Sequence, residues 1–95
     1  MRKISEEAAD ALIFGYKYKK SNTEVVVIGK SSYLKLHGSC IARKINNDIT
    51  ITNAGWFSNV TKERLNALPN GVSINQSKGI WYLNGTPWDG EWIKI

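Results

Sequence analysis

Between residues 23 and 53, apolar and polar residues alternate, and short turn sequences interrupt the alternation. A period of two is typical of strands that bury one face of a sheet. Turn residues occupy three places: 29–32, Gly38-Ser39 and Asn46-Asn47-Asp48. The stretches between and beside them predict strands over 25–28, 33–37, 40–45 and 48–52. This segment therefore predicts a four-stranded antiparallel meander.

The turn lengths set the expected register of the meander. A four-residue first loop pairs Ile28 with Tyr33. The second turn has Gly first, as a type II′ turn requires, and pairs His37 with Cys40. Both pairings keep the aliphatic residues of neighbouring strands on a common face.

A three-residue third turn pairs Ile45 with Ile49 and keeps the remaining aliphatic residues on that face. The predicted buried face then consists of Val25, Val27, Leu34, Leu36, Ile41, Ile45, Ile49 and Ile51. Arg43 does not fit this face, which predicts an edge or a bulge at that point. Ile49 and Ile51 are expected to be buried, and Thr50 and Thr52 are not.

Helical patterns precede and follow the meander. Residues 5–17 carry apolar residues at helical spacing, with Ser5 as the expected N-cap. A shorter helix is predicted over 58–68, ended by Pro69-Asn70-Gly71. Either Trp56 or Phe57 is expected to fill the core just before it.

The C-terminal part returns to strand patterns. A turn at 76–79 pairs Ile74 with Trp81, and residues 92–95 offer an extra short strand. Helix, meander, short helix and C-terminal hairpin predict one α+β domain over residues 1–95.

Composition excludes several classes of protein. At 95 residues with 42% hydrophobic residues, the chain is too short for two domains and too apolar for a disordered segment. No stretch of apolar residues is long enough to span a membrane. The single Cys cannot form an internal disulfide, and the charged N-terminal residues are unlike a signal peptide. We therefore expect a cytoplasmic protein without membrane partners. The net charge of +5 favours polyanionic partners.

Basic residues interleaved with tyrosines are the main candidate for function. Such surfaces combine phosphate-neutralising cations with rings on which bases stack. The candidate nucleic-acid-binding residues are Lys17, Lys19, Lys20, Lys35, Lys44, Lys62, Arg64, Tyr18 and Tyr33. The end of the first helix is expected to carry Lys17, Lys19 and Lys20. The outer sheet face is expected to carry Tyr33, Lys35, His37 and Lys44. The solvent side of the second helix is expected to carry Lys62 and Arg64. The alternative is a set of ordinary solvated positions, or a sheet face covered by the first helix.

Protein binding is the second function class. Trp88 lies in a loop between Pro87 and Asp89, where an exposed indole would anchor a partner such as a host defence protein. Catalysis is not predicted. His37 and Cys40 face each other in the expected register but have no orienting third group, and the carboxylates do not match any metal-binding spacing. No cofactor or metal is expected.

Several stretches together resemble a known family. They are NTEV at 22–25, LHGSCIA at 36–42, ITNAGWFS at 51–58, TKERLN at 61–66, GIWYLNG at 79–85 and WDGEW at 88–92. This pattern resembles a small domain family of unknown function found in tailed-phage and prophage proteins. The resemblance implies a phage-encoded accessory protein, acting in an infected or lysogenic bacterium. It implies no mechanism and no catalytic residues.

Overall fold

Helices and antiparallel sheets make up the computed structural model, which describes residues 3–55, 57–68 and 72–95. The helices are Lys3–Phe14 (α1) and Asn59–Asn66 (α2). The strands are Tyr18–Lys20 (β1), Thr23–Ile28 (β2), Ser31–Leu36 (β3), Ser39–Ile45 (β4), Asp48–Ile51 (β5), Ile74–Ser77 (β6), Ile80–Leu83 (β7), Thr86–Pro87 (β8) and Ile93–Lys94 (β9). They form a six-stranded sheet, ordered β1-β2-β3-β4-β5-β9, and a three-stranded sheet, ordered β6-β7-β8. The predicted α+β class is confirmed.

The first helix is shorter than predicted and starts earlier. It ends at Phe14 because Gly15 adopts a φ of +76°, the left-handed conformation that terminates helices, and its N–H donates to the Ala11 carbonyl at 2.9 Å. Ser5 lies inside the helix and is buried, so its predicted N-cap role is wrong. Residues 18–20 form the edge strand β1, so the lysines expected at a helix end do not lie on a helix.

One face of the six-stranded sheet holds the core. Its fully buried aliphatic residues belong to a single core cluster to which α1 contributes, and they include Val25, Leu34, Leu36, Ile41 and Ile51. The burial of Ile49 and Ile51 was predicted and is confirmed. We call this side of the sheet the inner face.

The first predicted loop is a two-residue turn. Gly29 and Lys30 connect β2 to β3, so Ile28 pairs with Ser31 and not with Tyr33. The predicted register is therefore displaced by two positions. Because side chains alternate with a period of two, the displacement leaves each residue on its predicted face.

The turn between β6 and β7 shows the same displacement. Lys78 and Gly79 form a two-residue turn with φ values of +51° and +79°, which is the type I′ pattern. Ile74 consequently pairs with Leu83 and not with Trp81. Both predicted four-residue loops are thus two residues too long.

The second predicted turn lies one residue earlier than expected. His37 and Gly38 are its central residues, with φ values of +51° and +81°, so the turn is type I′. The predicted type II′ turn at Gly38-Ser39 is wrong. The predicted pair of His37 with Cys40 is wrong as well, since Cys40 lies opposite Lys35.

A β-bulge follows in β4. Cys40 pairs with Lys35 and Ala42 with Leu34, so Ile41 is the extra residue. The bulge lets both Ile41 and Ala42 point into the core. The extra residue also reverses the face on which each later residue of β4 lies, so that Arg43 faces outward.

The third turn also differs from its prediction, and the bulge is the reason. Asn46 and Asn47 form a two-residue turn that pairs Ile45 with Asp48, and Ile45 is exposed on the outer side. The predicted pair of Ile45 with Ile49 is wrong. Because the extra residue Ile41 has already exchanged the inward and outward positions of β4, the two-residue turn is the one that buries Ile49.

Residues 88–95 are fastened to the large sheet. The Gly90 carbonyl accepts hydrogen bonds from the Asn53 backbone N–H at 3.1 Å and from the Thr52 hydroxyl. Thr52 is buried by this contact, which corrects the expectation that it is exposed. β9 then pairs with β5, so the extra C-terminal strand completes the large sheet.

The second helix begins after Ser58, whose hydroxyl accepts from the Thr61 N–H at 3.2 Å as an N-cap. At its end, the Asn66 side chain donates to the Ile74 carbonyl and accepts from the Ile74 N–H, which fastens α2 to β6. The predicted placement of Trp56 and the predicted helix stop at 69–71 lie outside the described residues. Phe57 is exposed and does not fill the core.

Candidate nucleic-acid interface

The second side of the six-stranded sheet, which we call the outer face, carries the candidate site. Strand alternation and cross-strand pairing place on it Lys19, Glu24, Val26, Ile28, Tyr33, Lys35, Cys40, Arg43, Ile45, Asp48, Thr50, Trp92 and Lys94. Both described helices lie on the inner side. α1 accepts a hydrogen bond from inner-facing Lys44, and α2 donates one to inner-facing Thr23. The outer face is therefore open to solvent.

Tyr33 lies near the middle of the outer face. Its neighbours on the adjoining strands are Val26 in β2 and Arg43 in β4. The Tyr33 side chain is half-buried. Directly opposed side chains on neighbouring strands have Cβ atoms about 5 Å apart, so Arg43 is within reach of the Tyr33 ring.

Arg43 also contacts Trp92. The guanidinium carbon lies 4.3 Å from the centre of the indole ring, a cation–π distance. Trp92 is 42% exposed, so one side of its ring remains available to solvent or to a ligand. Beyond it, Lys94 forms an exposed ion pair with Asp48 at 3.2 Å.

Positive charge predominates on this side of the sheet. Lys19 and Lys35 flank Glu24 on the two neighbouring strands and partly neutralise it. Lys17 adds a further cation at the edge, where it lines a shallow groove of about 380 Å³ together with Lys19 and Val26. Five cations, counting Lys17, Arg43 and Lys94, thus stand against the two carboxylates of Glu24 and Asp48.

Only part of the sequence-predicted set comes together here. Lys17, Lys19, Tyr33 and Lys35 lie on or beside the outer face. The remaining predicted residues are Lys20, Lys44, Lys62, Arg64 and Tyr18, and they lie elsewhere.

Tyr18 and Lys20 point toward the inner side of the edge strand. The Tyr18 hydroxyl donates to Glu7 in α1 at 3.0 Å, and partial burial together with this carboxylate raises the pKa of the phenol. Lys20 lies opposite Thr23, which is buried on the inner side. Neither side chain belongs to the outer face.

Lys44 and Lys62 each have structural partners. The Lys44 ammonium donates to the Ile13 carbonyl at 2.7 Å and thereby satisfies an acceptor in the last turn of α1. Its predicted place on the outer face is wrong. Lys62 donates to the Gln76 side chain at 2.9 Å and lies over the Trp81 ring.

Arg64 is buried, with 2% of its surface exposed, and its predicted place on the solvent side of α2 is wrong. Its guanidinium donates to the Ser5 hydroxyl at 2.7 Å and to the Thr23 hydroxyl at 3.0 Å, and it lies 3.7 Å from Glu63. Arg64 therefore joins α2 to α1 and to the inner face of the sheet.

Trp88 is buried and 8% exposed, so it is not the exposed anchor that the protein-binding alternative requires. Its indole N–H donates to the Glu91 carbonyl at 3.0 Å, and its ring packs against Trp81 at 6.3 Å between centres. The Asp89 carboxylate accepts from the Glu91 N–H, as expected of a turn residue.

Cys40 lies on the outer face opposite Lys35, and the nearby cations Lys35 and Arg43 do not offset the effect of burial on its thiol. Its thiol is half-buried and donates to the Ala42 carbonyl at 3.3 Å. Burial raises the pKa of the thiol, so the proton is held more tightly than in a free cysteine. His37 is in the turn and contacts the Asn22 side chain at 3.3 Å. Among residues 3–55, 57–68 and 72–95, no three His, Cys, Asp or Glu side chains gather as metal ligands.

Sequence reasoning missed Arg43, Trp92 and Lys94. Arg43 was noticed only as a misfit, and its outward direction depends on the bulge at Ile41. Trp92 and Lys94 reach the face because β9 joins the large sheet, a pairing between segments far apart in the chain. A misfit cation in an otherwise aliphatic strand was the one available signal.

Comparison with known proteins places the chain among phage proteins. The family model described as Kyanoviridae Gp96 protein matches residues 1–94. No curated protein and no solved structure matches the chain. Neither helix in the part of the chain that the structure describes has the length and apolarity needed to cross a membrane. Because the family model covers nearly every residue, the chain belongs to the Kyanoviridae Gp96 protein family, a family of phage proteins.

Proposed function

We propose that this phage protein is a non-catalytic accessory protein that binds nucleic acid with little sequence preference, in the cytoplasm of the infected host. The observation that carries the proposal is the outer face itself. Cations surround the Tyr33 and Trp92 rings on a sheet surface that neither described helix covers. Phosphates pair with such cations, and bases stack on such rings.

Weak sequence preference follows from the shape of the site. Base-specific reading of a duplex normally requires a helix or a β-ribbon that enters a groove. Here α1 and α2 are packed on the inner side, and the outer face is a broad sheet surface. Its cations contact phosphates, which carry no sequence information.

Salt dependence tests this proposal. Among the residues that the structure describes, four cations on the outer side form no salt bridge with a carboxylate: Lys17, Lys19, Lys35 and Arg43. Four phosphate contacts predict a slope of about −2.8 in log affinity against log salt for a single strand, since each contributes about −0.7. Fluorescence anisotropy with a labelled oligonucleotide at several salt concentrations measures this slope.

Matched double variants locate the binding surface. Lys19→Gln with Lys35→Gln removes two of the four contacts and should flatten the slope by about 1.4. Lys3→Gln with Lys62→Gln makes the same change in net charge away from the outer face and should leave the slope near its original value. Equal effects of the two pairs, or no binding at about 50 mM salt and micromolar protein, would contradict the proposal.

Protein binding remains a second candidate, at a cleft beside the Trp88 loop in which Ile80 is the exposed apolar residue. Ile80 is 49% exposed and lines a cleft of about 380 Å³ with Pro87, Trp88 and Asp89 on the small sheet. A partner's apolar side chain fits such a cleft, and interfaces are commonly anchored in this way. Nuclease-resistant capture of a host protein that Ile80→Asp abolishes would support this candidate, and capture that survives Ile80→Asp would count against it.

A further inference from the structure

The outer face brings three planar groups close together: Tyr33 in β3, Arg43 in β4, and Trp92 just before β9, which lies on the far side of β5. Tyr33 in β3 lies directly opposite Arg43 in β4, and the Arg43 guanidinium lies 4.3 Å from the centre of the Trp92 ring. Arg43 therefore stands between two aromatic rings. The rings come from segments far apart in the chain, and the pairing of β9 with β5 brings them onto one surface.

We infer that the outer face binds single-stranded nucleic acid in preference to duplex, with bases stacking on Tyr33 and Trp92 on the two sides of Arg43. This inference rests on the proposed function and specifies its ligand. In a duplex, the faces of the bases are covered by their neighbours, so only phosphates are available to a flat sheet. In a single strand, the base faces are available to both rings.

Arg43 is placed to bind the phosphate backbone of the same nucleic-acid strand. A guanidinium that stacks on an indole through its face keeps N–H donors at its edge, and these can bind a phosphate oxygen. A cation between two stacking rings thus neutralises the phosphate that links two stacked bases. Lys35, beside Tyr33 in the next row of the face, is placed for a neighbouring phosphate.

The expected preference for single-stranded over duplex nucleic acid follows from the strength of base stacking. Loss of one base–aromatic contact weakens binding of single strands by roughly 5- to 150-fold. Contacts to phosphates contribute to both ligands, so removal of a ring should leave binding of duplex within about twofold. The two rings together predict that single strands bind at least tenfold more tightly than duplex at equal salt.

The test compares a labelled single-stranded 12-mer with a hairpin duplex of equal phosphate number, by anisotropy at one salt concentration. Tyr33→Leu and Trp92→Leu should each weaken binding of the single strand as stated and leave the duplex unaffected. Phe14→Leu, which alters an exposed ring on α1 at the opposite side of the sheet, is the matched control and should change neither. Trp92→Phe keeps a ring and should retain most of the single-strand affinity.

The outcomes separate the inference from the proposed function. Duplex that binds as tightly as single strand, or ring variants that weaken both ligands equally, overturns the inference while the lysine-dependent binding stands. Binding of neither ligand overturns both. Quenching of tryptophan fluorescence on addition of single strand, absent in a folded Trp92→Leu variant, supports the inference independently, because the difference assigns the quenched signal to Trp92 among the four tryptophans of the chain.

Discussion

The two faces of the six-stranded sheet are built by the same strands and have opposite properties. On the inner face, Leu34 and Ile51 are fully buried in the core, and even the arginine that reaches this side, Arg64, is buried with hydroxyl partners. On the outer face, Arg43 is stacked on Trp92 and half exposed. The position of an arginine in this fold, and not its charge alone, decides whether it stabilises the fold or is available to a ligand.

Substitution of the two arginines should give the largest contrast. Arg64→Ala leaves Ser5, Thr23 and Glu63 without their buried partner and should lower the free energy of unfolding by roughly 3–5 kcal/mol. Arg43→Ala should cost less than about 1 kcal/mol, the value of an exposed cation–π contact. Urea denaturation of both variants measures the difference, and similar losses in the two would contradict the assignment of the faces.

A smaller contrast is expected within one strand. Ile51→Ala should lower the free energy of unfolding by roughly 2–5 kcal/mol, because it leaves a cavity in the core. Thr50, its neighbour in β5, points outward, and Thr50→Ala should change stability by about 0.5 kcal/mol or less. Thermal unfolding of the two single variants compares the faces at adjacent positions, where equal costs would show that β5 is placed with the wrong face inward.

The smallest effect concerns Cys40. Its pKa is raised by burial, so the folded state holds the thiol proton more tightly than the unfolded state, which titrates near 9.0. The resulting contribution to stability is complete below that pH and is lost as the pH rises through the higher pKa of the folded state. At pH 8.5 we expect iodoacetamide to alkylate Cys40 more slowly in the folded chain than in urea, as followed by mass spectrometry. Equal rates would show that burial does not protect the thiol.

The sequence predicted the faces of the sheet better than its register. The error at Ile28 was two residues, and because side chains alternate with a period of two, it left the buried set nearly unchanged. The bulge at Ile41 reverses which face the following residues occupy; the Arg43 misfit indicated an edge or a bulge but not the residue at which the extra one is inserted. For that reason Ile45 was assigned to the wrong face while Ile49 and Ile51 were assigned correctly.

The candidate site was harder to predict than the fold. A cation on a short helix is usually exposed, and only the tertiary position of the Ser5 and Thr23 hydroxyls makes the burial of Arg64 favourable. Trp88 lies in a loop, and the loop sequence does not indicate whether the indole is exposed or packs into the core against Trp81. The nearness of Trp92 to Arg43 depends on a long-range strand pairing that no local pattern encodes.

The contact between Gly90 and residues 52–53 has a consequence for how the outer face is assembled. Neighbouring hairpins of the meander need only local contacts, whereas β9 must close a long loop to reach β5, so we expect β9 to dock late in folding. On this expectation, Tyr33 is in place before Trp92 arrives. Gly90 has a φ of +90°, and a Cβ at this position would collide with the Asn53 side chain. Gly90→Ala should therefore leave the meander folded but loosen the nearby Trp92, so that a backbone contact on the large sheet decides whether both rings of the binding surface are in place.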